Sequence, residues 1–206
     1  MQRESDGQEV KVWDPLVRIF HWTLVISFVV TYASGDELEG IHVWFGYLIA
    51  GLLVFRFAWG FVGPKHARFS DFVYGPREIL AYLRSLATGR PRRYLGHNPA
   101  GGLMVILLLV SLGFTTGTGL LMVQTPQAPA IPSVQERGGW FFGEKDEEDE
   151  EHEGNEVLEE VHEFFANLTL LLVLLHIAGV AVSSRLHHEN LVRAMITGRK
   201  PAKPEQ

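Results

Sequence analysis

The 206-residue chain contains no cysteine. This absence excludes disulfide bonds and iron–sulfur clusters held by thiolates, and it excludes covalent haem attachment, which needs a C-x-x-C-H motif. Charged residues make up only 20% of the chain, and they leave four long stretches almost free of charge. Apolar stretches of this length are typical of membrane proteins, so the composition excludes a soluble globular enzyme.

The four apolar stretches are each long enough to cross a bilayer as a helix, at about 1.5 Å per residue. They cover residues 16–34, 42–62, 101–123 and 161–184. No small-residue cleavage site follows the first stretch, so we expect it to remain as a membrane anchor. The sequence therefore predicts an all-α fold: one membrane domain over residues 1–206, built as a bundle of four transmembrane helices.

Lysine and arginine are unevenly distributed between the spans. Residues 1–18 carry three, residues 63–100 carry seven and residues 185–206 carry five, whereas residues 35–41 carry none and residues 124–160 carry two. Cytoplasmic loops are enriched in these residues. The counts predict a bacterial inner-membrane protein with both termini and the 185–206 tail in the cytoplasm, and with residues 124–160 forming a periplasmic loop.

The cytoplasmic loop between the second and third spans contains an amphipathic segment at residues 76–87. Pro76 suits the first turn of a helix, and Gly89 follows its end. One face of this helix would be apolar, formed by Ile79, Leu80, Leu83 and Leu86. The pattern predicts a short interfacial helix on the cytoplasmic membrane surface.

Four of the nine histidines lie in the spans or at their edges, where ionisable side chains are costly and usually functional. They are His21, His42, His162 and His176. His162 and His176 are 14 residues apart, so they project from one helix face about 21 Å apart along the axis. Because successive spans run in opposite directions, His21 should lie at the depth of His176, and His42 at the depth of His162.

Two histidine pairs at matched depths in a four-helix bundle indicate two b-type haems, each with two axial imidazoles. Filling both axial positions is typical of electron-transfer cytochromes and blocks oxygen chemistry. Glycine allows a porphyrin to approach the backbone closely, and four glycines suit this role: Gly46, Gly113, Gly117 and Gly179. The alternatives are a transition-metal site or pathway, and plain hydrogen bonding between helices.

Two arginines, Arg18 and Arg56, could pair with the propionates of the inner haem. The alternative for both is that the side chain extends to the cytoplasmic interface.

Several segments resemble the bacterial cytochrome b561 type, the group that includes the b-type cytochrome subunits of nickel–iron hydrogenases and formate dehydrogenases. They are VWDPLVRIFHW at 12–22, the histidine opening the second span, GHNPAGG at 96–102 and the histidine pair of the fourth span. The resemblance covers about residues 10–124 and 157–198. It implies a haem protein of four or five spans that exchanges electrons with quinone, with the four histidines as axial ligands in the same pairing.

The quinone would meet the inner end of the bundle, where His97 and Asn98 precede the third span. These side chains are candidate contacts to a quinone carbonyl or a propionate. Alternatively, Asn98 and Pro99 form a turn and helix start, and His97 binds a propionate or the backbone.

The predicted periplasmic loop is strongly acidic and departs from the family pattern. Residues 144–156 contain nine acids and one lysine, and residues 124–163 hold 13 of the chain's 24 acids. We expect a low-complexity segment that is mobile when unbound. Its field would attract a cationic protein, so a periplasmic c-type cytochrome or a dehydrogenase would dock near residues 136–163. A solvated loop and a weak divalent-cation trap with His152 are the alternatives.

The predicted function is electron transfer between the quinone pool and a periplasmic redox partner, first of all a c-type cytochrome. One alternative is a superoxide:quinone oxidoreductase, although an acidic loop should slow the capture of an anion. Another is a membrane anchor subunit of a hydrogenase or dehydrogenase. A transporter or sensor of metal ions is a fourth interpretation.

Overall fold

The computed structural model describes residues 9–35, 38–89, 91–124 and 147–202, the last range with side chains from residue 156 onward. The helices are α1 (Pro15–Ala33), α2 (Glu39–Val62), α3 (Phe69–Phe72), α4 (Pro76–Ala87), α5 (Pro99–Gln124), α6 (Glu147–Leu186) and α7 (Leu191–Thr197). A 3-10 turn covers Lys65–Ala67, and the strands are β1 (Glu9–Lys11) and β2 (Arg199–Pro201).

Four helices are long and apolar enough to cross a membrane: α1, α2, α5 and the Glu156–Leu186 part of α6. This confirms the four predicted spans. The start of α1 has a local cause, since Asp14 accepts hydrogen bonds from the backbone nitrogens of Leu16 and Val17, at 2.9 and 3.2 Å. Pro15 then occupies the first helical turn, where its missing N–H costs nothing.

The helix α6 is longer than the sequence predicted. It begins at Glu147, so the loop predicted over residues 124–160 is shorter than expected, and its residues 125–146 lie outside the described part of the chain. Glutamate is a good helix former, and the apolar part of α6 provides a nucleus from which the helix can extend.

Contacts in the bundle run from α1 to α2, from α2 to α5, and from α5 to α6. At the α5–α6 contact, the buried hydroxyls of Ser111 and Thr169 lie 2.7 Å apart. Large apolar side chains such as Phe57 and Val62 point outward, with 65% and 76% of their surface exposed. This arrangement suits a lipid surround, where small polar contacts join helices and apolar side chains need no burial.

The two ends of the described chain meet at one end of the bundle. Strand β1 pairs with β2 in antiparallel register, with Val10 opposite Lys200. The described chain is mostly helical, as predicted, and these two short strands are an addition that the sequence analysis did not predict. Gly198 has φ +81°, and its carbonyl accepts from the nitrogens of Val12 and Trp13 at 2.9 and 3.1 Å. A side chain at Gly198 would come within 2.7 Å of the Trp13 carbonyl oxygen, so glycine is required there.

The short helix α4 has the predicted bounds, and Leu80 and Leu83 on it are about half exposed. Its position on the membrane surface stays a prediction.

A buried ion cluster joins the segment before α5 to the chain end. Glu189 has only 3% of its side chain exposed; it pairs with Arg93 and, at 3.4 Å, with the Nζ of Lys200. Arg93 also donates to the carbonyls of Pro201 and Ala202, at 2.6 and 3.1 Å. Burial lowers the pKa of Lys200, and the Glu189 carboxylate opposes that shift.

Replacing Glu189 with Gln should strongly destabilise this end of the bundle. The buried Lys200 and the partly buried Arg93 would lose their carboxylate, and breaking a buried pair costs about 3 to 5 kcal/mol. The matched control is Glu9→Gln, because Glu9 pairs with Arg199 at 3.5 Å on the exposed surface, where a pair contributes about 0 to 1 kcal/mol. Thermal unfolding in detergent measures both variants, and equal melting temperatures would refute the role of the cluster.

Candidate functional site

The first histidine pair joins α1 to α6. The ring centres of His21 and His176 lie 6.5 Å apart. The Nδ1 of His21 is buried and has no hydrogen-bond partner among the described residues. Trp22 packs edge-on against His21, with ring centres 5.0 Å apart.

The second pair joins α2 to α6, with the ring centres of His42 and His162 6.0 Å apart. His42 Nδ1 donates to the Thr31 carbonyl at 3.0 Å, and His162 Nδ1 donates to the Thr115 carbonyl at 2.9 Å. A carbonyl can only accept, so both protons lie on Nδ1 and both Nε2 atoms keep a free lone pair. Backbone carbonyls orient metal-binding histidines in the same way.

The spacing of both pairs suits axial ligation of a haem. Two metal–imidazole bonds of about 2 Å each, added to the two ring radii, separate the ring centres by about 6 Å. Each pair could supply two nitrogen ligands to a haem iron, with the porphyrin supplying the other four. The residues present therefore fit a bis-histidine haem at each pair.

The glycines of the spans fall into two groups. A Cβ atom would meet nothing of the protein within 4 Å at Gly46, Gly113, Gly117 and Gly179, the four positions proposed for close approach of a porphyrin. At Gly119, in contrast, a Cβ would lie 3.0 Å from the Cε1 of His162. Gly119 therefore makes room for the His162 ring itself.

The two predicted propionate partners lie at the end of the bundle where the chain ends meet. Arg56 is 3% exposed, its Cζ lies 5.1 Å from the Phe69 ring centre, and its Nη1 has no hydrogen-bond partner among the described residues. Arg18 differs, since its Nη1 donates to the carbonyl of Ile196 while its Nε is buried without a partner. Arg18 thus ties α1 to α7.

His97 and Asn98, the predicted quinone or propionate contacts, have distinct environments. The His97 ring lies between Trp13 and Phe72, with both ring centres 4.7 Å away. Its Nδ1 is buried and has no partner. Burial lowers the pKa of His97 to about 3, with Arg56 lowering it further, so the imidazole is neutral at pH 7. Asn98 Oδ1 accepts from the Gly101 nitrogen at 2.7 Å and caps α5.

Comparison with known proteins shows the family of the chain. The family model for prokaryotic cytochrome b561 matches residues 12–198. The chain belongs to the prokaryotic cytochrome b561 family. It is therefore a membrane b-type cytochrome, and the cofactor of the family is haem b. This confirms the family resemblance of the sequence.

Related proteins from several bacteria are described as probable Ni/Fe-hydrogenase B-type cytochrome subunits. One from Rhizobium leguminosarum bv. viciae is 24% identical over 97% of this chain and 92% of its own length. One from Bradyrhizobium diazoefficiens is 25% identical over 97% of this chain and 89% of its own length. One from Azotobacter vinelandii is 30% identical over 57% of this chain and 64% of its own length. No solved structure matches the chain.

The sequence did not point to Thr31, whose carbonyl orients His42 from another helix. Backbone carbonyls leave no signal in a sequence. Thr115 and Gly119 belong to the run TTGTG in the third span. Three threonines and two glycines in an otherwise apolar segment are a signal that could have indicated a contact with His162.

Replacing Gly119 with Val should displace the His162 ring, because even a Cβ at this position comes within 3.0 Å of it. We expect the haem at the His42–His162 pair to be lost or weakened while the protein keeps its other haem b absorption. Gly51→Val is the control, because Gly51 is exposed on α2 and a Cβ there would meet none of the described residues within 4 Å. Reduced-minus-oxidised spectra measure both variants; unchanged spectra for Gly119→Val would exclude this steric role.

Proposed function

We propose that this cytochrome carries electrons across the bacterial cytoplasmic membrane through two b-type haems. His21 and His176 would hold the inner haem, and His42 and His162 the outer one. The observation that carries the proposal is the two facing histidine pairs, whose α6 members are 14 residues, or about 21 Å, apart along one helix face.

The protein's own contribution is to hold and orient the imidazoles. The Thr31 and Thr115 carbonyls keep the outer pair in the tautomer that presents Nε2. If histidines held both axial positions of each haem, oxygen would have no coordination site on the iron. Haem supplies reversible one-electron redox chemistry when bound.

The inner end is the proposed site of quinone exchange, with both chain termini in the cytoplasm. Supporting this placement, the strand pair puts the two described chain ends together, and the basic segments 63–100 and 185–206 belong to this end. Asn98 Oδ1 accepts a hydrogen bond in capping α5, so the donor to a quinone carbonyl would be the Asn98 amide nitrogen. Leu80 and Leu83 on α4 would face lipid beside this site.

The outer partner in this proposal is a c-type cytochrome with a basic surface, docking on the acidic segment 136–163. A hydrogenase-type dehydrogenase is a second candidate partner, because the related proteins are described as hydrogenase cytochrome subunits. The two candidates differ in the lifetime of the complex that they form. A c-type cytochrome attracted by the acidic segment binds and leaves rapidly, whereas a subunit complex survives purification.

Replacing His176 with Ala should remove the inner haem and leave the outer one. The full-length protein should contain about two haems per chain, and the variant about one, by pyridine haemochrome assay. His187→Ala is the control, because His187 follows the end of α6. In His176→Ala, quinol should no longer reduce the remaining haem. Two haems with unchanged spectra in His176→Ala would show that the pairing is wrong.

Removing residues 144–153, with eight acids and one lysine, should slow electron exchange with a basic c-type cytochrome and flatten its salt dependence. Changing the same acids to Gln and Asn should do so too, while keeping the length of the segment. Quinone reactivity should not change. Stopped-flow rates at several salt concentrations measure this, and equal rates with equal salt slopes would contradict docking at this segment.

A further inference from the structure

Arg56 occupies a position on α2 at the depth where α1 and α6 carry His21 and His176, the proposed ligands of the inner haem. It follows His42 by 14 residues, the same spacing that separates His162 from His176 on α6. Fourteen residues make nearly four turns, so Arg56 projects from the His42 face of α2, about 21 Å deeper along the axis. This is the depth of the His21–His176 pair.

The guanidinium of Arg56 and the imidazole of His97 contact the same buried ring. The Phe72 ring centre lies 5.6 Å from the Arg56 Cζ and 4.7 Å from the His97 ring centre, and Phe72 is 1% exposed. Both side chains have a buried nitrogen without a partner, Nη1 of Arg56 and Nδ1 of His97. Two unsatisfied polar nitrogens on one aromatic ring mark a place prepared for a polar ligand.

The carboxylate of Asp14 does not act as the ligand of these two nitrogens. Asp14 caps α1 through Oδ1, and its Oδ2 accepts from the Trp59 indole at 3.4 Å. Arg18 does not resemble Arg56 either, because its Nη1 already donates to the Ile196 carbonyl. Arg56 is therefore a buried cation whose Nη1 has no acceptor among the described residues.

We propose that Arg56 and His97 together bind one propionate carboxylate of the inner haem, an assignment that rests on the proposed function. A carboxylate can neutralise the buried guanidinium and accept hydrogen bonds from both nitrogens. A quinone head group is uncharged and would leave the arginine charge uncompensated. The ligand that fits is therefore the carboxylate of a propionate on the inner haem, which lies at the depth of Arg56.

The first test compares Arg56→Gln, Arg56→Lys and Arg84→Gln in the full-length protein. Losing the buried positive charge should lower the midpoint potential of the inner haem, because that charge favours the reduced haem. It should also weaken retention of the inner haem several-fold. The midpoint potential and haem retention of Arg56→Lys should lie between those of the wild type and Arg56→Gln, because lysine keeps the positive charge but not the planar guanidinium group. Arg84 is an exposed arginine on α4 and serves as the matched control. The outer haem reports that each variant is folded.

The second test uses haem b and its dimethyl ester, in which the propionates are blocked, to reconstitute apoprotein. The ester should bind the inner site several-fold more weakly than haem b in the wild type, and equally in Arg56→Gln, because the two changes remove one interaction. In His97→Phe, too, haem b and its ester should bind the inner site equally well. In His97→Gln, which keeps an N–H donor, part of the preference for haem b over the ester should return. Strictly additive effects of ester and variant would overturn the proposal.

The outcomes separate this inference from the function on which it rests. A wild-type protein with fewer than two haems overturns the two-haem proposal and this assignment with it. Two haems in the wild type, with an inner haem unaffected by Arg56→Gln, overturn the propionate assignment alone. A variant that changes only the KM for quinol, with unchanged potential and haem retention, assigns Arg56 to the quinone instead.

Discussion

The bundle depends on one helix, α6, that serves both histidine pairs from a single face. The 14-residue spacing of His162 and His176 is close to four turns, so a continuous helix can present both rings to the interior without a kink. The other helices then share the remaining positions: α1 carries His21, α2 carries His42, and α5 supports His162 through the Thr115 carbonyl. Any distortion of α6 between its two histidines would disturb both sites.

The surrounding packing follows from the low cost of exposing apolar side chains to lipid. With no hydrophobic force pulling the spans together, the helices meet through small residues and hydroxyls such as Ser111 and Thr169. Polar groups inside the bundle must then find partners within the protein or on a ligand. His42 and His162 find backbone carbonyls, whereas Arg56 and His97 keep nitrogens without partners in the part of the chain that the structure describes.

Much of this architecture could be predicted from the sequence because it rests on local properties. Apolar length is enough to locate four spans, and Pro76 marks the start of α4. Helical periodicity places four histidines at two depths, and their rings do face one another in pairs. The strand pair was not foreseeable, because β1 and β2 lie at opposite ends of the sequence and their register depends on the contact at Gly198. The network of Glu189, Arg93 and Lys200 could not be predicted from the sequence either, because these residues come together only in the folded chain.

The two histidine pairs are supported by different means, and this sets how each can be altered. Main-chain carbonyls orient the His42–His162 pair, and the Thr118 hydroxyl also lies 3.2 Å from His162 Nδ1. Side-chain substitutions therefore reach this pair through that hydroxyl or through packing, as at Gly119. The His21–His176 pair lies toward the end of the bundle that side chains hold together: Arg18 ties α1 to α7, and Arg93 and Lys200 both contact Glu189. Side-chain charge can be changed by a single substitution, whereas a backbone dipole cannot. The inner end is therefore the part of this fold where the sequence can adjust electrostatics without moving a helix.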